Sequence, residues 1–296
     1  MIKKSPIYVK FLILSLLLLT SCVSGCVTIN NKPDIPEEIL PRHAFVQVQQ
    51  SVEVQGCGLD SETKKEKCQK AVMQYVSSGA YVFHSEVSQG TSYVMTAGHS
   101  CESKIPKTQI VDGFRIENKG SKFRTVDLNG FHHEAEVILV NRRFDLCLLR
   151  VSNVLTNPPL LKIADKEPRR GETVTNMAAP HGLFWSGTVL VFKGQFSGYH
   201  DRGYSVYTIP TKPGSSGSPI LNSDNELVGV IFAGYSMMEN VGLSSPLVAI
   251  KVFLKKAIAK GEMELWESGN QPKLNTQIDR VWIQKMKTRL NDVFGD

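Results

Sequence analysis

Ser216 stands in the segment TKPGSSGSPI (Thr211 to Ile220), with Gly214 two residues before it and Gly217 directly after. Glycine on both sides marks a backbone bent into conformations that most residues avoid, so that amide groups converge on one spot. A serine hydroxyl is a weak nucleophile until a base takes its proton and donors hold the oxyanion that forms. The amides of Gly214 and Ser216 are placed to be those donors. His99 closes the apolar stretch YVMTAGH, behind the small pair Ala97 and Gly98 that lets other groups approach it. Asp145 heads the apolar run LCLLRV, where a carboxylate is expensive to bury unless it is paired. Asp145 orienting His99, and His99 accepting the proton of Ser216, would offset that cost and give a nucleophilic triad.

Such a constellation needs a rigid frame, and the chain reads as strands and turns. Ala44 to Val54 alternates apolar and polar residues. Gly79 to His84, Ser92 to Thr96, Glu134 to Val140, Leu146 to Val151, Thr188 to Phe192, Tyr204 to Ile209 and Leu227 to Phe232 are further short apolar or β-branched runs. Gly, Pro, Asn or Asp separates many of them, a pattern of sandwiches and barrels and not of βαβ units. Two strand-rich halves, Ala44 to Asn157 and Pro158 to Leu254, suit a pair of packed barrels. The tail from Thr276 to Phe294 places Val281, Met286, Leu290 and Val293, among others, on one helical face.

The first residues read as a sorting signal. Lys3, Lys4 and Lys10 form a basic head, followed by an apolar run from Phe11 to Leu19, too short to span a membrane comfortably. Leu19-Thr20-Ser21-Cys22 resembles the bacterial lipoprotein box, which makes Cys22 the lipidation site; Val23-Ser24-Gly25-Cys26 is a second match and makes Cys26 the alternative. An ordinary leader cut near Ser24 is the rival reading. Loss of the leader's three lysines lowers the formal balance from +6 to +3. No basic run interleaved with aromatics accompanies it, so nucleic acid is not an expected partner. Thr28 to Pro41, rich in Asn, Pro and Glu, reads as a tether.

Four cysteines lie beyond the leader: Cys57, Cys68, Cys101 and Cys147. An even count in an exported chain points to two disulfides, for which three pairings exist. Cys57 and Cys68 bracket the polar loop GLDSETKKEK, and their closeness favours a local bridge, leaving Cys101 to pair with Cys147. No CxxC spacing supports a metal site. His132-His133-Glu134 is no better a ligand set, because adjacent strand residues point to opposite faces.

The motifs now carry a family resemblance. TAGH, EAEVILVNRRFDLCLLRV, and PGSSGSPI followed by NELVGV resemble the trypsin-like serine peptidases of the chymotrypsin fold, nearest to the bacterial and phage branch of Deg-type and glutamyl endopeptidases. The order His99, Asp145, Ser216 is that of the chymotrypsin-type triad. LKIADKEPRRGETVTNMAAPHGL (Leu161 to Leu183) and GLSSPLVAIKVFL (Gly242 to Leu254) extend the resemblance, which spans Val76 to Leu254. It implies an all-β fold of two six-stranded antiparallel barrels with a helical C-terminal tail. His99 is then general base and acid, Asp145 orienter, Ser216 nucleophile, and the amides of Gly214 and Ser216 the oxyanion hole. If His99 and Asp145 touch, Cys101 and Cys147, each two residues further on, also lie close.

Ser215 occupies the place where animal digestive members carry an Asp, so activation through that ion pair is not expected. The stretch after Leu254 is about 40 residues, too short for the peptide-binding domain of Deg-type enzymes. The resemblance places the main side-chain pocket around Pro210, Thr211, Phe232, Ala233 and Gly234. Pro210 stands where Arg- and Lys-selecting members keep a carboxylate, so a modest apolar pocket is expected, with Thr211 and Lys212 as a rival site for an acidic side chain. The sequence thus implies an exported, lipid-anchored endopeptidase of the bacterial cell envelope, held to a membrane by its N-terminal lipid. Its partner is a polypeptide substrate, and it needs no metal or organic cofactor. Its expected organisation is a leader over 1–22, a tether over 23–41, a peptidase domain over 42–256 (barrels about 42–157 and 158–256) and a helical extension over 257–296.

Overall fold

A computed structural model describes residues 40–59, 63, 65–154, 157–235, 237–268 and 277–294. The leader, the tether up to Ile39, Cys22 and Cys26 lie outside the described residues.

Barrel one contains β1 (Phe45–Leu59), β2 (Glu66–His84), β3 (Ser92–Ala97), β4 (Thr108–Val111), β5 (Phe114–Asp127), β6 (His132–Asn141) and β7 (Leu146–Val151). The order is β1-β2-β3-β7-β6-β5, closed by pairing of β1 with β5, and β4 is a short hairpin partner of β5. The alternation in β1 is the cause of its inward and outward faces: Val48, Val52 and Val54 are buried between less buried Gln49, Ser51 and Glu53. Barrel two contains β8 (Thr173–Ala178), β9 (Leu190–Tyr199), β10 (Ser205–Tyr207), β11 (Pro219–Leu221), β12 (Leu227–Tyr235) and β13 (Met238–Ser244), closed in the order β10-β13-β12-β11-β8-β9. Closure removes sheet edges where the strands ring each barrel. This is a chymotrypsin-like architecture, as the motifs imply.

The first barrel extends into an arm. β1 and β2 remain paired out to Leu59 opposite Glu66, and β5 follows β1 as far as Cys57 opposite Arg115. The register shifts between Glu53 and Val54, opposite Gly120 and Asn118, so Lys119 is an extra residue on β5. Such a bulge bends a strand pair, and here it marks the point where the arm leaves the barrel. Of the stretch expected as a polar loop between Cys57 and Cys68, Gly58, Leu59, Glu66 and Lys67 are paired strand. Cys57 and Cys68 face each other in that ladder and form a disulfide, and Cys101 and Cys147 form the second.

Two helices follow, α1 (Leu247–Ser268) and α2 (Gln277–Phe294). The first turns of α1 are part of the core. Ile250, Phe253, Leu254, Ala257 and Ile258 are buried in one cluster with Leu148 of barrel one and Ile231 of barrel two. Further along α1, the fully buried Glu262 accepts from the Tyr93 hydroxyl at 2.7 Å and from the Glu86 amide at 3.0 Å. Burial and that neighbouring carboxylate push the Tyr93 phenol well above its ordinary range. On α2 the packed face is Met286, Leu290 and Phe294; Val281 and Val293, expected on that face, are exposed.

Candidate active site

His99 sits in a single tight turn, Gly98 to Ser100, at the end of β3. The turn is clamped to Asp145. Gly98 N–H donates to the Asp145 carbonyl at 2.8 Å and His99 N–H donates to Asp145 Oδ1 at 2.6 Å. His99 Nδ1 lies 2.6 Å from Asp145 Oδ2. Gly98 is required by this closeness: a Cβ there would lie 2.8 Å from Asp145 Oδ1. A carboxylate only accepts, so Nδ1 carries the ring proton and Nε2 presents a lone pair. That lone pair faces Ser216 Oγ at 2.9 Å. The three side chains singled out from the sequence thus form one unbroken hydrogen-bonded run. The Cys101–Cys147 disulfide ties the turn after His99 to β7, two residues beyond Asp145.

Ser216 lies in the loop between β10 and β11. Gly214 has φ +96° and Gly217 φ +84°, values that disfavour any side chain. Space forbids one too. A Cβ on Gly214 would approach Ala179 O to 2.5 Å, and one on Gly217 would approach Ser78 O to 2.1 Å. The Pro213 carbonyl accepts from His181 N–H at 2.5 Å, which turns the Gly214 N–H of the same trans peptide the opposite way. Among the described residues, no acceptor faces the N–H of Gly214 or of Ser216.

One member of this assembly has no counterpart in the sequence motifs. Ser78, fully buried on β2, donates from its N–H to the Ser216 carbonyl at 2.8 Å and from Oγ to the Gly214 carbonyl at 2.8 Å. Its Oγ also accepts from Ala179 N–H at 3.0 Å. A serine in a strand carries no sequence signal of such a role; only the barrel-to-barrel contact reveals it. Asn176, equally silent in sequence, donates to Ser218 Oγ at 2.8 Å and to the Pro219 carbonyl at 2.9 Å, holding the far side of the loop.

Two hollows flank the Ser216–His99 pair. One, of ≈ 250 Å³, is lined by Thr211, Lys212, Pro213, Ser215, Ser216, Ile231, Ala233 and Gly234. Thr211, Ala233 and Gly234, expected in the side-chain pocket, are part of this lining. Pro210 is not part of this lining, and Phe232 is turned into the other hollow, since neighbours on a strand face opposite ways. There Phe232 packs edge-on against Tyr204, 5.0 Å between centroids, beside His99, Arg142 and Arg143. Lys212, the rival site for an acidic side chain, is occupied: its ammonium pairs with Glu239 Oε1 at 2.7 Å, which holds that carboxyl below the usual range. His133 is buried between Asp127 and the Asn153 carbonyl while its neighbour His132 is exposed, so the two histidines do not converge.

Two closed barrels with a Ser–His–Asp run between them define a chymotrypsin-like site. A family model described as a trypsin-like peptidase domain matches residues 77–230, and the chain belongs to that family. It is 26% identical over 199 residues to the serine protease Do-like HtrA of Bacillus subtilis (strain 168), a match covering 61% of this chain and 43% of that protein. The chain thus spans less than half the length of this curated relative. The crystal structure of the serine endoprotease from Yersinia pestis shares the fold, with a TM-score of 0.51 at 20% identity over 74% of this chain and 64% of that one.

Proposed function

We propose that the chain is a serine endopeptidase, exported and lipid-anchored to the bacterial cell envelope, that cleaves peptide bonds through an acyl-enzyme. Ser216 Oγ attacks the scissile carbonyl while His99 Nε2 takes its proton. The oxyanion is received by the N–H groups of Gly214 and Ser216. His99 then passes the proton to the leaving amine, and a water, deprotonated by the same ring, hydrolyses the ester. Asp145 holds the ring in the accepting tautomer and offsets the imidazolium that forms. One observation carries the reading: Asp145 Oδ2, His99 Nδ1, His99 Nε2 and Ser216 Oγ are linked at 2.6 and 2.9 Å, beside two amides without acceptors. Export and anchoring rest on the basic head, the apolar run and the two lipobox matches ending at Cys22 and Cys26.

The test is covalent labelling with a fluorophosphonate, followed by peptide mapping. Label on Ser216, lost in Ser216→Ala together with peptide cleavage, is the expected outcome. Turnover should fall about a millionfold in Ser216→Ala and about ten-thousandfold in Asp145→Asn, whose ring takes the wrong tautomer. Folded protein that takes no label at Ser216 would refute the reading. Palmitate incorporation in Cys22→Ala and Cys26→Ala tests the anchor separately.

A further inference from the structure

β2 is longer than its barrel needs. It pairs with β1 along its whole length from Glu66 to Ala80, but meets β3 only from Gly79 onward. Among the described residues, the edge of β2 that faces away from β1 has no strand partner between Glu66 and Val76. In an antiparallel ladder, alternate residues turn both main-chain groups to the same side. Ser78 reveals which set faces outward: its N–H donates to Ser216 O, and its carbonyl accepts from Thr96 Oγ1 at 2.7 Å. The register of β1 with β2 has no shift, so the same parity assigns Val76, Gln74, Val72 and Lys70 to the free edge. At the usual strand rise, Lys70 lies about 26 Å along this edge from Ser78 at the Ser216 loop.

An open edge of that length is a pairing template with its donors and acceptors already spaced. The arm is held in shape by the Cys57–Cys68 disulfide and by the ladder of β1 with β5. We propose that the outward edge of β2, from Val76 toward Lys70, binds the substrate on the C-terminal side of the scissile bond as an added strand. The proposal rests on the peptidase reading. Its argument is continuity, because the edge begins at the residue that bonds Ser216. The hollow lined by Thr211, Ala233 and Gly234 lies on the barrel-two side of Ser216 and receives the residue whose carbonyl is attacked. The chain beyond the cut then leaves over the barrel-one side, past Ser78. Running from Ser78 toward Lys70 it opposes the direction of β2, so the added strand is antiparallel. One substrate residue lies opposite Val76, and the next but one opposite Gln74. The contacts are main-chain groups, so the edge selects extended chains of broad sequence.

The test is a series of quenched fluorescent peptides, identical up to the cut and carrying two, four, six or eight residues after it. A second set of the long peptide carries one N-methyl group at each successive position. kcat/KM is expected to rise about tenfold from two to six residues, the effect of a few added main-chain hydrogen bonds. N-methylation is expected to slow cleavage only at alternate positions. Val72→Pro, an edge-compatible change that removes one outward N–H, should erase part of the length effect. The N-methyl scan uses the unaltered protein, so it stands even if that variant fails to fold. Cleavage with a flat length series, or an N-methyl profile without alternation, overturns the proposal alone. No cleavage of any peptide overturns the peptidase reading and the proposal with it. A dimer in sedimentation that Val72→Pro dissolves would assign the edge to a second copy, and would also overturn it.

Discussion

Ser78 and Ser216 come from different barrels, and the N–H of the first donates to the carbonyl of the second at 2.8 Å. The Ser78 side chain then fixes the Gly214 carbonyl, one bond of the loop whose N–H groups face the oxyanion position. Barrel one thus sets the orientation of donors that belong to barrel two.

Ser78→Ala keeps the strand amide but leaves the Gly214 carbonyl and the Ala179 N–H without their buried partner. A loosened donor acts mainly in the transition state, so kcat should fall about ten- to hundredfold while KM stays within about twofold. Steady-state kinetics on a peptide substrate, with a thermal melt to confirm folding, checks this. An unchanged kcat would show that the loop holds itself.

The triad is legible in the sequence because each member has a local signature: small residues before His99, a charge at the head of an apolar run at Asp145, glycines around Ser216. Strands with alternating burial, such as β1, are legible for the same reason. β5 is not, since Phe114 to Lys119 lies on the arm with neither face fully buried and carries no alternation of burial. β11 is three residues long and held by its neighbours in the closed barrel, beyond what a local pattern can signal. The arm of β2 does not read as a strand in sequence because Glu66 to Lys70 is mostly polar and Glu66 to Gln74 is exposed on both sides, so no alternation marks it. Phe232 lies outside the expected pocket because β12 is a strand, and successive residues of a strand line two different hollows.

The two disulfides should differ in weight. Cys101–Cys147 closes a separation of 46 residues and Cys57–Cys68 one of 11. Chain-entropy arguments give about 4 kcal/mol for the first and about 3 kcal/mol for the second. The location widens the gap, because the first ties down the turn that carries His99 whereas the second lies in an exposed arm. Cys101→Ala with Cys147→Ala should lower the melting temperature and abolish most turnover. Cys57→Ala with Cys68→Ala should leave cleavage of short peptides intact. Equal losses of activity in the two pairs would contradict this division.

Glu167 accepts from the Leu247 N–H at the start of α1, yet burial pushes its carboxyl above the ordinary value of 4.5, partly countered by that bond and by Lys251. An acid raised in this way binds its proton more tightly folded than unfolded. Its stabilising contribution is therefore full below about pH 4.5 and is lost as pH rises through the higher folded value. Glu167→Gln keeps an acceptor for Leu247 and removes the ionisation. Melting curves of the two proteins should coincide near pH 4 and separate toward pH 7, with the variant the more stable. The reverse order would mean that the positive end of α1 holds the carboxylate more strongly than burial opposes it.

Lys212 lines the hollow beside Ser216, but its charge is answered by Glu239 on β13. With Thr211, Ala233 and Gly234 around it, the hollow as it stands suits a small apolar side chain ahead of the cut. Glu239→Gln leaves the ammonium without its counter-charge at the hollow's wall. Cleavage after Glu or Asp should then rise relative to cleavage after Ala or Val, by about three- to tenfold given that the pair is solvent-exposed. The preference should fade in high salt, since exposed charges are screened within about 10 Å at 0.1 M. Product analysis of a peptide library, run with wild type and variant at two salt concentrations, measures both effects. An unchanged profile would place the side chain ahead of the cut out of reach of Lys212, and would move the choice of residue to the neighbouring hollow of Tyr204, Phe232 and Arg143.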